Sequence, residues 1–172
     1  MKIDLHSHSY YSDGVLSPSE VIRLANEADC DLFSLTDHDT TAGLTEAQLE
    51  ADKLGVKLVM GVEISALWRN MAIHILGLGI DIHNSTLQAG LEHNQKLRKE
   101  RAEKIALGLW RSGIKDALEK TQAFSKTNML TRTHFAQMLI SEGYCKDMKA
   151  VFRRYLTGKK PGGVGVEWKG FE

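Results

Sequence analysis

The first eighty positions carry short apolar runs separated by amphipathic stretches. Residues 2–5 read as a short strand. Ser17-Pro18-Ser19-Glu20 is a helix start, with Ser17 as N-cap, Pro18 in the first turn and Glu20 closing a capping box. Val21, Ile22, Leu24 and Ala25 then form the face to be buried. Residues 31–36 (DLFSLT) make a second strand that runs into Asp37-His38-Asp39. A second helix is expected over 41–54, stopped by Gly55. Residues 56–64 (VKLVMGVEI) and 72–80 (AIHILGLGI) make the third and fourth strands. Strand and helix alternate, which predicts an α/β fold with parallel strands.

The pattern changes after about Asp81. Residues 84–112 read as one long polar-faced helix, rich in Lys, Arg and Glu. Shorter helices are expected over 115–124, 132–141 and 147–155. This half reads as all-helical. The closing GKKPGGVGVEWKGFE is Gly-rich and is expected to be irregular.

Composition narrows the classes. The chain has 172 residues, one domain's worth, and 42% are hydrophobic, enough for a real core. Lys plus Arg equals Asp plus Glu, 22 each, so formal charge is zero and any contact with a polyanion must be local. Cys30 and Cys145 lie far apart and form no CxxC pair, so a disulfide framework is not expected. Met1-Lys2-Ile3-Asp4 leads straight into charge and histidine, so a secretory leader is not expected. No apolar run approaches the roughly 18 residues of a membrane span. A cytoplasmic protein that does not enter the membrane is the expectation.

Candidate chemistry clusters at the strand ends. His6 and His8 alternate on one strand, so both side chains face the same way. Asp13 sits in the loop beyond. His38 follows the second strand, Glu63 lies near the end of the third and His74 is in the fourth. Barrels of this class build their sites at the C-terminal ends of parallel strands. Imidazoles mixed with carboxylates, without thiolate, suit manganese, iron or zinc. Two such ions about 3.5–4 Å apart can activate water and clamp a phosphoryl oxygen. A lone strand histidine is more often a packed one, but six such groups at strand ends point to a metal site. His83 and His93, in a polar loop and helix, read as ordinary histidines.

DLHSHSYYSDG, LTDHDT, GVEIS and HILGLGID resemble the first four motifs of the PHP (polymerase and histidinol phosphatase) family. TRTHFAQMLISEG, VFRRYL and GKKPG are similar to its subgroup of 3′,5′-nucleoside bisphosphate phosphatases, also described as RNase AM, a 5′–3′ exoribonuclease. The resemblance implies a distorted seven-stranded β/α barrel with up to three divalent ions, manganese first. Residues 1–82 would be the first half of that barrel, 83–157 a helical insertion on the substrate side, and 158–172 an irregular tail. It implies that His6, His8 and Glu63 hold one ion, Asp13 and His38 a second, and Glu63 with His74 a third. Arg132 and His134, with Arg98 and Arg101, would bind the substrate's phosphates, since guanidinium makes bidentate bonds to phosphate. For Arg98 and Arg101 the alternative is a solvated helix face. The implied substrate is a nucleotide or a short 5′-phosphorylated RNA.

The family pattern also contains a later HPG-type turn and an Asp-x-His. Neither occurs here, and no histidine follows His134. The expectation is therefore six of nine ligands, a C-terminally truncated barrel, and an open strand edge that favours self-association. A fragment, a truncated gene product and a chain completed by a partner all fit that ending. The alternative functions are an inactive remnant that binds metal weakly, a histidinol phosphatase, or a polymerase-associated proofreading module.

Overall fold

The computed structural model describes residues 1–170, which form two compact units. The first runs from Met1 to Gln95 and takes up the chain again from Trp168. The second covers Lys96–Glu167. The divide expected after residue 82 thus falls thirteen residues earlier than the one between these units, which lies inside the long helix.

The first unit is built on a four-stranded sheet of order β1-β2-β3-β4. The strands are β1 (Ile3–Ser7), β2 (Leu32–Leu35), β3 (Leu58–Trp68) and β4 (Met71–Leu78). Helices α1 (Pro18–Glu27) and α2 (Leu44–Leu54) are the crossovers that let β1, β2 and β3 run parallel. The α1 capping box is formed: Glu20 N–H donates to Ser17 Oγ (3.1 Å) and Ser17 N–H to Glu20 Oε2 (2.7 Å). Gly55 ends α2 in the left-handed region at φ 73°. Ile22, Phe33, Leu35, Leu44, Ala47 and Ala51 bury the helix pair against the sheet.

The fourth strand departs from the expected parallel set. β3 continues five residues past Glu63 to Trp68, and only Arg69 and Asn70 separate it from β4. Both residues have positive φ, 47° and 64°, the signature of a two-residue hairpin turn. A parallel return needs a crossover of about a dozen residues, so β4 pairs antiparallel with β3.

The second unit is helical. The boundary lies within α3 (Ser85–Arg111); α4 (Ala117–Gln122), α5 (Arg132–Ser141) and α6 (Met148–Val151) follow, and a π-helical turn over Phe152–Leu156 extends α6. Ile105, Leu109, Phe135, Met138, Leu139 and Val151 form its core. The Gly-rich stretch lies close against α3: a Cβ on Gly108 would sit 1.8 Å from the Pro161 carbonyl oxygen. Arg101 Nε donates to Val164 O at 3.2 Å. Back in the first unit, Trp168 is buried and Leu67 N–H donates to Lys169 O (3.1 Å). Residues 171 and 172 of the expected tail lie outside the described residues.

Candidate metal centre

Glu63 is the centre of the first unit's polar cluster. It sits in mid-β3 and only 6% of it is exposed. Its backbone is tied to both neighbours of His38: Glu63 N–H donates to Asp37 O (3.2 Å) and Asp39 N–H to Glu63 O (2.9 Å). Four imidazoles surround its carboxylate. His6 Nε2 lies 3.0 Å, His8 Nε2 3.1 Å and His38 Nδ1 3.3 Å from Oε2; His74 Nδ1 is 3.1 Å from Oε1.

His74 reaches this cluster by a route different from the expected strand end. In the antiparallel β3–β4 pair it faces Ser65, two residues beyond Glu63. Side chains alternate along a strand, so Glu63 and Ser65 share a face and His74 is a diagonal neighbour on it. His6, His8, Asp13 and His38 do lie at or just beyond the loop ends of β1 and β2, whereas Glu63 lies mid-strand because β3 runs on to pair with β4. Asp13 stands at the far side, with Oδ1 3.6 Å from His8 Nδ1 and Oδ2 3.9 Å from His38 Nε2.

These side chains form three overlapping groups: His6, His8 and Glu63; His8, Asp13 and His38; and His38, Glu63 and His74. Within each group the donor atoms lie within 4.8 Å of one another. Donors held about 2.0–2.2 Å from one ion span that order of distance, and the hard carboxylates with imidazoles suit a divalent ion. The residues present therefore fit the ions that the sequence implied. Each group offers three protein donors, leaving coordination positions for water and substrate.

A second layer of residues escaped the sequence reading. Asp37 and Asp39, on either side of His38, are buried. Asp37 accepts from Ser9 N–H (2.7 Å), Ser9 Oγ (2.6 Å) and Ser12 Oγ (2.6 Å). Burial pushes its carboxyl up, against the opposing pull of the Ser12 and Ser9 hydrogen bonds. Asp39, at φ 52°, accepts from Ser65 N–H (2.8 Å), Ser65 Oγ (2.7 Å) and Asn94 Nδ2 (2.8 Å). The signal available was the carboxylate on each side of a strand-end histidine, yet nothing in the spacing separates a ligand from a support.

In the second unit, Arg98, Arg101 and Arg132 lie near one another. Burial lowers the Arg101 guanidinium to about 10, with further lowering from Arg132 and Arg98. Burial and then Arg98 lower Arg132. Arg98 is 6% exposed, so the solvated-face alternative does not hold for it. His134 is the N3 residue of α5, and its Nδ1 accepts from Thr131 N–H (3.1 Å). Its neutral ring therefore carries the proton on Nε2, which is a donor.

The parallel strands, the helical crossovers and the carboxylate–imidazole cluster define an α/β protein with three overlapping groups of side chains that could hold metal ions. The chain belongs to the PHP domain family, which it matches over residues 4–169. It is 43% identical over 171 residues to a 3′,5′-nucleoside bisphosphate phosphatase of Chromobacterium violaceum, covering 99% of this chain and 60% of that one. It is 40% identical to the 5′–3′ exoribonuclease Rnm of Escherichia coli, covering 96% and 57% respectively. A solved structure of an amidohydrolase from Chromobacterium violaceum, with bound sulfate and no metal, superposes with a TM-score of 0.95 at 43% identity, over 99% of this chain and 60% of that one. The chain thus spans about 60% of the length of the relatives it matches. Among the described residues, no helix is long and apolar enough to cross a membrane.

Proposed function

We propose that this chain carries the metal-binding part of a phosphoesterase that removes the 3′-phosphate of nucleoside 3′,5′-bisphosphates, trims short 5′-phosphorylated RNA from its 5′ end, or does both. The observation that carries this reading is Glu63, one buried carboxylate within 3.3 Å of four imidazole nitrogens and shared by two of three candidate ion groups. Divalent ions, manganese first and iron or zinc as alternatives, would supply Lewis-acid polarisation of the phosphoryl oxygen and a water of lowered pKa. His6, His8 and Glu63 would hold one, Asp13 and His38 a second, and Glu63 with His74 a third. The protein's part is to fix these donors on rigid strands, so that little reorganisation is needed during reaction.

Within the second unit, the arginine cluster is the proposed holder of a phosphate group. Arg98, Arg101 and Arg132 concentrate positive charge where burial makes it costly, and an oxyanion offsets that cost. His134, whose Nε2 is the proton-bearing nitrogen, adds a donor. The sulfate bound by the Chromobacterium violaceum structure, an anion of phosphate-like shape, supports an oxyanion reading. The cytoplasm is the proposed location for such a nucleotide or RNA substrate. Self-association through β4 is part of the same reading, supported by exposed Met71, Leu76 and Leu78 on that last strand of the sheet.

The test is phosphate release from adenosine 3′,5′-bisphosphate with added Mn²⁺, with His8→Ala alongside. Release by the parent and none by the variant is the expected result. Silence from both, with Mn²⁺ still bound, replaces this reading with the metal-binding remnant. Release from histidinol phosphate instead moves the substrate class.

A further inference from the structure

Arg132 stands where three influences work against a cation. It is the first residue of α5, at the positive end of the helix dipole, and the first turn of α5 holds no acidic residue. Burial lowers its pKa, and the charge of Arg98 lowers it further. What attracts the cation is an aromatic face: Arg132 Cζ lies 5.7 Å from the centroid of the Phe152 ring. That is within the roughly 6 Å over which such a face holds a guanidinium. A carboxylate in the ring's place would engage N–H donors of the fork and cancel its charge. A ring does neither, and leaves both the donors and the charge to an oxyanion.

Phe152 opens the π-helical turn Phe152–Leu156. Bonding from i to i+5 is rare and is concentrated at functional sites. Here it lets Val151 and Leu156, both buried in the core of the second unit, share one face. In a regular α-helix, positions five apart diverge by about 140°. Phe152 follows Val151 and packs, half-buried, against the same core. The Thr157 hydroxyl donates to Phe152 O (2.8 Å) and closes the turn. We propose that Phe152 is a positioning residue of the arginine cluster. Its ring, kept in place by the π-helical turn, holds the Arg132 guanidinium beside Arg98 and Arg101 in readiness for a phosphate group. The inference rests on the phosphate reading of that cluster.

The test is calorimetric binding of adenosine 3′,5′-bisphosphate to the metal-free chain, so that neither turnover nor the metal centre enters. Phe152→Leu keeps apolar bulk and removes the aromatic face; it should weaken binding about fivefold. Phe152→Tyr, which keeps the face, should hold affinity within about twofold of the parent. A trifluorinated phenylalanine in place of Phe152 keeps the ring's shape but drains its face of negative charge. It should weaken binding as Phe152→Leu does. A parent that binds, with a folded Phe152→Leu protein that binds equally well, overturns the positioning role and leaves the phosphate reading standing. Full affinity with the fluorinated ring also overturns it, because the ring would then act by packing alone; this arm decides if Phe152→Leu does not fold. A parent that binds no bisphosphate overturns the phosphate reading, and the positioning role with it.

Discussion

Glu63 and His38 are joined twice, by a parallel backbone bridge between β3 and the loop that follows β2 and by side chains 3.3 Å apart. The backbone bridge brings a strand residue and a loop residue into one cluster. Neither can move without disturbing the other, which is how a site keeps several donors in register.

Glu63→Gln should remove the two ion groups that contain Glu63 and spare the group of His8, Asp13 and His38. The loss of affinity should exceed the roughly 10–100-fold that an outer-sphere change costs. Counting bound Mn²⁺ by electron paramagnetic resonance checks this. An unchanged count would remove Glu63 from the ligand set.

Asp39→Ala should destabilise the fold without deleting a ligand. It removes the acceptor that Ser65 N–H, Ser65 Oγ and Asn94 Nδ2 share, all of them buried. A cost of about 3 kcal/mol is expected, against about 1.5 kcal/mol for Asn94→Ala, which takes from Asp39 one of three donors and from Ser65 O the Nδ2 bond. Urea unfolding of the two variants compares them. Equal costs would mean that Asp39 is held mainly by something other than these bonds.

Glu50 ties α2 to α1. Its carboxylate accepts from Lys53 Nζ (3.1 Å) and Arg23 Nε (2.7 Å), which hold it below its ordinary value of 4.5. A depressed carboxylate stabilises the fold above its unfolded value, and that contribution is lost as pH falls through the lower folded value. Glu50→Gln should therefore be less stable than the parent at neutral pH. The gap should close on acidification below 4.5. Urea midpoints of both proteins across that range give the readout, and a gap that widens in acid contradicts the pairing.

Arg132→Lys keeps the charge and loses the planar fork. With 5′-phosphorylated RNA its KM should rise about tenfold while kcat stays within about twofold, the mark of lost uniform binding. RNA with a 5′-hydroxyl should show no such change. Equal effects on both substrates would detach Arg132 from the terminal phosphate.

Much of the frame is legible in the amino-acid sequence alone. The α1 capping box, the Gly55 stop and the 132–141 bounds of α5 all follow from local chemistry, because caps and turns are decided within a few residues. The six ligand candidates are legible for a related reason: the local sequence sets their chemical type, and the structure gathers them into three overlapping groups.

What lies outside local reach is decided by partners distant in sequence. The apolar pattern stops β3 at Ile64, but its ladder with β4 extends it to Trp68, and the two-residue turn then reverses β4. That reversal, and not a strand end, delivers His74. Asp37 and Asp39 look alike beside His38, yet one holds the Ser9–Ser12 turn and the other Ser65 and Asn94. A run of residues sets which groups are available. The pairing of strands and the burial of polar groups, which need distant chain segments to meet, set which of them become ligands and which become supports.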